Sequence, residues 1–307
     1  MAFDRSILDH RDKCPLCDER RHDPLVELDG FHIVRCASCR FIYVVEVIPD
    51  AICLDYYANG YAGLRHRQGQ QINADMNVNI LKTIKPPING RALLDIGSGF
   101  GFLLDRARDK LGMNVTGVEL SNAERKFANE SLGVKTVRDL DDVPAGSKFD
   151  VISLFEVVEH LKDPRALLGR AADMLKAGGY LVVGTDNFES NPVRVMGEGF
   201  PKWIPHQHIS LFGPDSLRRL CTMTGAFSIR AEASYTPWEY QARMAVQRLS
   251  RGRRGVRKFN LEQELASEEG RGFALFPLRR LVNPLYARLA RRNTLDAAMM
   301  YVIAQRN

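Results

Sequence analysis

The sequence predicts an open α/β fold preceded by a small cysteine-rich module. Three observations carry that prediction. Short apolar runs that end on an acidic residue alternate with amphipathic stretches, as at 91–112. A glycine-rich turn, Gly97-Ser98-Gly99-Phe100-Gly101, joins the first of these runs to a helix-patterned segment that stops at Gly112. Two C-x2-C pairs, Cys14/Cys17 and Cys36/Cys39, stand ahead of both.

The chain has 307 residues and 45% hydrophobic content, enough for a sizeable core and ordinary for a soluble globular protein. A net charge of +6 and a pI near 9.0 suggest an acidic partner such as a nucleotide, a nucleic acid or an anionic lipid surface. No apolar run is long enough to cross a bilayer, and the start, MAFDRSILDHRDK, has no signal-peptide core. The expected location is the cytoplasm, with peripheral contact to the inner membrane surface as one option.

In the first element, C-P-L-C and C-A-S-C can each form a knuckle that aims two thiolates at one point. Two knuckles make a closed site of four sulfurs, which suits a structural zinc ion. The alternative is a pair of redox motifs or disulfides, which a reducing compartment disfavours. The intervening LVEL and FHIV around Asp29-Gly30 read as a hairpin, completing a zinc ribbon over 1–45. Cys53 and Cys221 stand alone and are expected to be buried and inert.

Residues 46–88 form the second element. Tyr56, Tyr57 and Tyr61 crowd around Asn59-Gly60, either as a packed connection or as a lid that shields a bound cofactor from water. The segment ends at the breaker Lys85-Pro86-Pro87-Ile88-Asn89-Gly90.

From residue 89 the pattern is strand, glycine turn, helix. A dinucleotide fingerprint would read G-x-G-x-x-G. This chain reads D-x-G-x-G-x-G, with Asp95 ahead of Gly97, Gly99 and Gly101. A carboxylate there repels a pyrophosphate and suits an ammonium or sulfonium. The next strand, Asn114 to Glu119, ends on an acid that can accept from two ribose hydroxyls. The third, Val134 to Val137, leads to Asp139, placed to accept from an adenine amine. A ligand with ribose, adenine and a cationic amino-acid tail is S-adenosylmethionine.

The stretches LLDIGSGFGFLL, VTGVELS, FDVISLFEVVEHLKDP and LKAGGYLVVGTDN, in that order, resemble the class I S-adenosylmethionine-dependent methyltransferases. With the cysteine ribbon, the chain looks like bacterial members that act on surface sugars or small metabolites. The resemblance implies a Rossmann-like seven-stranded sheet whose final strand is antiparallel, assigned to Ala297–Ala304, beside a strand at Ala226–Glu232. It places Asp95, Gly97, Gly99 and Gly101 at the methionine and loop end, Glu119 at the ribose and Asp139 at the adenine, with Tyr61 as a lid contact. The cofactor domain then spans 89–235 and the last strand 294–307.

Within LFEVVEHLKDP, Asp163-Pro164 starts a helix, and Glu156 to Leu161 is long enough for one helical turn. Such a turn brings Glu156, Glu159 and His160 onto one face beside the methyl donor. A later segment, Pro201 to Phe212, carries His206 and His208, either of which can join them. This E-x-x-E-H turn with a later histidine resembles two methyltransferase groups that use a divalent metal: small-RNA terminal 2′-O-methyltransferases and ubiquinone-biosynthesis O-methyltransferases. Two oxygens and two imidazoles suit Mn²⁺, Fe²⁺, Co²⁺ or Zn²⁺ better than Mg²⁺. Three readings stand: a metal site, a histidine general base without metal, or a structural turn.

Residues 236–293 form a basic insertion with Arg251, Arg253, Arg254, Arg257 and Lys258 close together. Leu278, Leu281, Leu285 and Leu289 recur at helical spacing, with Pro277 and Pro284 expected to break the stretch. It reads either as a solvated helical excursion packed on the core or as a contact for an anionic acceptor: a lipid-linked saccharide, a nucleotide-sugar or, less favoured, RNA. The functional expectation is methyl transfer to a hydroxyl of a sugar or small metabolite. Its rivals are a sugar C-methyltransferase, an RNA methyltransferase, and a non-enzymatic ribbon protein that senses S-adenosylmethionine.

Overall fold

A computed structural model of the chain describes residues 4–60, 63–249, 259–261 and 276–307. Each half of the cysteine signature is a knuckle. The Leu16 and Cys39 amides donate to the Cys14 and Cys36 sulfurs at 3.4 Å, and Asp18 and Arg40, one residue past each pair, take positive φ of 59° and 63°. The four sulfurs lie within 4.8 Å of one another, with Cys14–Cys39 and Cys17–Cys36 at 3.5 Å. Tetrahedral zinc–thiolate bonds of about 2.3 Å place sulfurs roughly 3.8 Å apart, so the cluster fits a zinc ion closely.

A two-residue strand β1 (Asp9–His10) precedes the hairpin β2 (His22–Leu28) and β3 (Phe31–Cys36), which turns at Asp29-Gly30 as the sequence predicts. β4 (Ile42–Val44) extends that sheet, and β5 (Glu46–Val47) pairs back with β1. Helix α1 (Asp50–Asp55), a π-helical turn over Tyr56–Gly60, and the long helix α2 (Leu64–Leu81) follow. Cys53 is only partly buried, its thiol near the Ile48 carbonyl, whereas Cys221 is fully buried.

The cofactor domain then runs β6 (Ala92–Ile96), α3 (Phe102–Leu111), β7 (Asn114–Val118), α4 (Asn122–Ser131), β8 (Thr136–Val137), β9 (Phe149–Phe155), α5 (Pro164–Met174) and β10 (Leu175–Asp186). After α6 (Asn191–Met196) and β11 (Ser210–Leu211) come α7 (Pro214–Thr222), β12 (Phe227–Tyr235), α8 (Trp238–Leu249), a helix over Phe276–Ala290 and β13 (Met299–Arg306). The seven-stranded sheet has the order β12-β13-β10-β9-β6-β7-β8, with β13 antiparallel to both neighbours. The class I architecture is therefore present, with its last two strands ending a few residues later than the sequence suggests. Asp163 caps α5, accepting from the Arg165 and Ala166 amides at 3.0 and 3.2 Å, with Pro164 in the first position.

Alternation along the strands divides the core between two faces. Leu181 and Val183 of β10 and Met300, Val302 and Ala304 of β13 pack with α5 and α7. Tyr180, Val182, Tyr301 and Ile303 face α2 and α3. The ribbon's Phe41 and Tyr43 belong to the first of these clusters, so the module shares a core with the catalytic sheet.

A backbone splice reinforces that union. β11, from the segment carrying His206 and His208, pairs antiparallel with β4 as a fourth strand of the ribbon sheet. Ile209 donates its N–H to the Glu159 carbonyl at 2.9 Å and accepts from the Val44 N–H at 3.1 Å. Arg11 donates to the Ile209 carbonyl at 3.0 Å and the Leu161 carbonyl at 3.3 Å.

The insertion is helical where described, but one expectation fails. Helix Phe276–Ala290 is continuous, with Pro284 inside it. Pro277 falls in the first turn, where its missing N–H costs nothing, and Pro284 removes only one bond of the ladder. The basic cluster Arg251, Arg253, Arg254, Arg257 and Lys258 lies outside the described residues.

Cys36→Ser is expected to lower Tm by about 5–10 °C and to speed amide exchange at Val44 and Ile209. Unchanged exchange at Ile209 would show that the splice holds without an intact cysteine cluster.

Candidate functional site

The first part of the site is a hollow at the carboxyl ends of β6 and β7. Gly97, Gly99 and Gly101 take positive φ of 75°, 54° and 77°. A side chain at Gly99 would strike Gln70 of α2, and one at Gly97 would strike Val157. Only glycine allows this approach of backbone to its cover. Glu119 accepts from the Gly99 and Ser121 amides at 2.8 Å each, which turns its carboxylate toward the loop. Burial, reinforced by Glu124, pushes the Glu119 carboxyl up to about 6.

Helix α2 is the cover. Gln70 accepts from the Phe100 amide at 2.8 Å, and His66 lies 3.1 Å from Glu124. Beneath the hollow, Asp95 is buried and accepts from the Ser153 hydroxyl at 2.6 Å. Burial lifts its carboxyl to about 7. Asp139 lies past the tip of β8, exposed, where its carboxylate accepts from the Asp141 amide and caps a 3-10 turn. Tyr61 falls outside the described residues. The glycine cradle and the inward carboxylate of Glu119 fit a ligand that carries ribose hydroxyls and a positive charge.

The second part is the E-x-x-E-H turn. Val158–His160 is a 3-10 turn, not an α-helical one, and Glu156 before it has a φ of 55°. That left-handed residue redirects its side chain, so the expected four-ligand convergence is corrected to three. Glu159, His160 and His208 bring ligand atoms within 4.8 Å of one another. Glu156 instead accepts from Lys202 Nζ at 3.0 Å and Asn73 Nδ2 at 3.0 Å. His206 also stays apart, its ring beside Phe259.

The tautomers follow from the partners. His160 Nδ1 donates to the Gln207 carbonyl at 3.0 Å, and His208 Nδ1 donates to the Lys202 carbonyl at 3.0 Å. A carbonyl only accepts, so each ring keeps its lone pair on Nε2. Burial keeps both imidazoles neutral, pulling His160 down to about 4 and His208 well below the usual histidine value. Glu159 is fully buried, and neither carboxylate oxygen has a hydrogen-bond partner among the described residues. Burial, then Asp186 and Glu156, push its carboxyl up to about 8. An unpartnered buried carboxylate beside two Nε2 lone pairs fits a divalent cation.

Around this cluster lie residues that the sequence reading missed. Lys202 sits between Glu156 and the fully buried Asp186, 3.4 Å from the latter. Burial would lower its pKa, but Asp186 and Glu156 outweigh it and hold the ammonium well above the usual range. The same Lys202 charge holds Glu156 below the usual carboxylate range. Tyr57 reaches His160 Nδ1 at 3.2 Å, and the Gln207 amide donates to Tyr56 at 3.3 Å, so the linker packs against this turn. Asp186 carried a readable signal, since it ends β10 as Asp95 and Glu119 sit at their own strand tips.

A class I methyltransferase core is the protein class that this sheet order and cofactor hollow define. The family described as "Methyltransferase domain" matches residues 64–227, and the chain belongs to it. Among curated relatives, a ubiquinone biosynthesis O-methyltransferase of Bradyrhizobium sp. (strain ORS 278) is 32% identical over 147 residues, 43% of this chain and 56% of that protein. One of the same name from Cereibacter sphaeroides (strain ATCC 17029 / ATH 2.4.9) is 32% identical over 171 residues, 51% of this chain and 67% of that protein. The chain thus spans little more than half the length of the first of these. A solved complex of the Haloferax volcanii Trm112 methyltransferase activator with a putative methyltransferase contains a chain of like fold. It matches with a TM-score of 0.50 at 14% identity, over 78% of this chain and 94% of that one.

Glu119→Ala is expected to weaken S-adenosylmethionine binding at least about 100-fold in calorimetry while far-UV dichroism stays unchanged. Normal affinity would refute the ribose assignment. In the native chain, protonation of Glu119 below about 6 removes an acceptor and a negative charge. Affinity should therefore fall as pH drops through that value, approaching about tenfold per pH unit. Glu119→Gln should flatten the profile.

Proposed function

We propose that the protein transfers the methyl group of S-adenosylmethionine to a hydroxyl of a small acceptor, with a divalent metal held by Glu159, His160 and His208. The observation that carries this reading is the Glu159 carboxylate, buried, without a hydrogen bond among the described residues and set within 4.8 Å of ligand atoms of His160 and His208. The O-methyltransferase names of the curated relatives support oxygen as the acceptor atom.

In this reading the protein's own groups divide the work. The glycine turn and Glu119 hold the cofactor so that its sulfonium methyl faces the acceptor space. The Gln207 and Lys202 carbonyls fix the two imidazoles in the ligand tautomer. Helix α2 and the Tyr56–Tyr57 turn exclude water. The ion would supply Lewis-acid activation of the hydroxyl, lowering its pKa and orienting its oxygen. Lys202, balanced between two carboxylates, sets the charge of the acceptor space. Methyl transfer to oxygen releases one proton, which passes to solvent; Glu156, paired with Lys202 and held below the usual carboxylate range, stays ionised and serves to fix the Lys202 ammonium.

A histidine base acting alone fits less well, because a His160 imidazole lowered to about 4 is a weak base at neutral pH. The four cysteines are proposed to hold a structural zinc ion that leaves no open position.

Glu159→Ala with His160→Ala is expected to lower turnover to S-adenosylhomocysteine at least about 100-fold, with cofactor affinity changed by less than about threefold. Mn²⁺ titration followed by electron paramagnetic resonance should show a bound ion in the native chain and none in the variant. Unchanged turnover would make the turn structural, and turnover lost without any Mn²⁺ binding to the native chain would favour the base reading.

A further inference from the structure

We propose that the outward face of helix Phe276–Ala290 docks on an anionic lipid bilayer. Leu278, Leu281, Leu285 and Leu289 are 53%, 74%, 59% and 77% exposed. At 3.6 residues per turn these four lie within about 80° of one another on the helix, and Ala287 lies opposite. Ala287 is buried and packs into the cluster formed by α2 and the sheet. The helix is thus anchored by one face and presents an apolar stripe on the other. Monomeric folds rarely leave such a stripe open without a partner.

Charge identifies the partner. Between 276 and 292 the chain carries Arg279, Arg280, Arg288, Arg291 and Arg292 and no acidic residue. Arg279 lies over Trp238, a partly exposed indole that donates to Asn283 of the same helix at 2.8 Å. Leucines along one line, Arg279 and Arg288 flanking it on either side and a tryptophan next to Arg279 match the interfacial plane of a bilayer, where apolar side chains enter the acyl boundary and cations meet anionic headgroups. A second copy of the chain fits less well, because self-docking would bring two basic helices together, and the nearby acids Glu239 and Asp296 are already engaged by Arg279 and Arg292 of the same chain. A nucleic-acid backbone would satisfy the arginines but leave the leucines in water.

The orientation is favourable. Arg292, just past the helix, bridges to Ser234, beside the Tyr235–Met299 pair, and Met299 also pairs with Asp186. The helix therefore ends at the carboxyl edge of the sheet, where Lys202 and the Glu159 cluster lie. Docking would hold the acceptor space against the lipid surface. This inference stands independently of the metal and hydroxyl assignments.

The test is flotation of the full chain with phosphatidylcholine vesicles and with phosphatidylcholine vesicles containing phosphatidylglycerol. The native protein should float with the anionic vesicles at least about tenfold more than with the neutral ones and lose that preference at high salt. Leu281→Glu with Leu289→Glu, and separately Leu281→Ser with Leu289→Ser, should lower flotation about tenfold or more, with S-adenosylmethionine binding unchanged. Native protein that stays unbound with both vesicles overturns the proposal, as does equal flotation of the variants. So does a native dimer that the variants convert to monomer, a Tm loss showing that the stripe is covered by this chain in solution, or RNA binding that the leucine variants retain while lipid binding is absent.

Discussion

The peptide unit of Ile209 is the constraint on which the active edge depends. Its N–H is bonded to the Glu159 carbonyl and its carbonyl to the Val44 N–H, so one residue joins the E-x-x-E-H turn to the ribbon sheet. His208 is its immediate neighbour. A ligand on a loop after a strand would ordinarily wander over several conformations. Here β11 fixes the loop by pairing with β4, and half-buried Arg11 secures both the Ile209 and Leu161 carbonyls. The cysteine ribbon lies far from the E-x-x-E-H turn in sequence, yet its sheet fixes the strand that follows His208.

Electrostatics at this edge follow from burial more than from distance. Glu159 and Asp186 are both fully buried, yet only Asp186 has a cation near it. Lys202 serves Asp186 and Glu156 together, and so a single ammonium offsets two carboxylates. Glu159 has no ion-pair partner among the described residues, and burial pushes its carboxyl up to about 8. In the metal-binding reading that imbalance would favour a cation at the three-residue cluster, while Glu156 stands aside: it is paired with Lys202 and its backbone has a left-handed φ.

Much of this was legible because local spacing encodes it. The D-x-G-x-G-x-G turn, the acids at strand tips, the Asp163-Pro164 helix start and the C-x2-C knuckles are each fixed by neighbours a few residues away. The departures depend on longer reach. The positive φ of Glu156 is a backbone state that a glutamate does not advertise, and it separates Glu156 from Glu159 where helical spacing unites them. Lys202 stood in plain sight beside His206 and His208, but its meaning comes from two carboxylates on other elements. β11 is two residues long, too short for any alternation pattern to reveal, and only its pairing shows that it belongs to the ribbon. Pro284 misled because sequence rules treat proline as a stop, whereas an exposed helix can lose one ladder bond and continue.

The shared strand has a consequence for how such a protein can be taken apart or recombined. A boundary near residue 45 looks natural on paper, since the cysteines all precede it. Severing there would strip β11 of its strand partner β4 and expose the edge of β4 on the detached piece. A chimera that exchanges the amino-terminal module must carry its matching segment from around residue 204 to 212, so the unit of inheritance here is discontinuous along the gene.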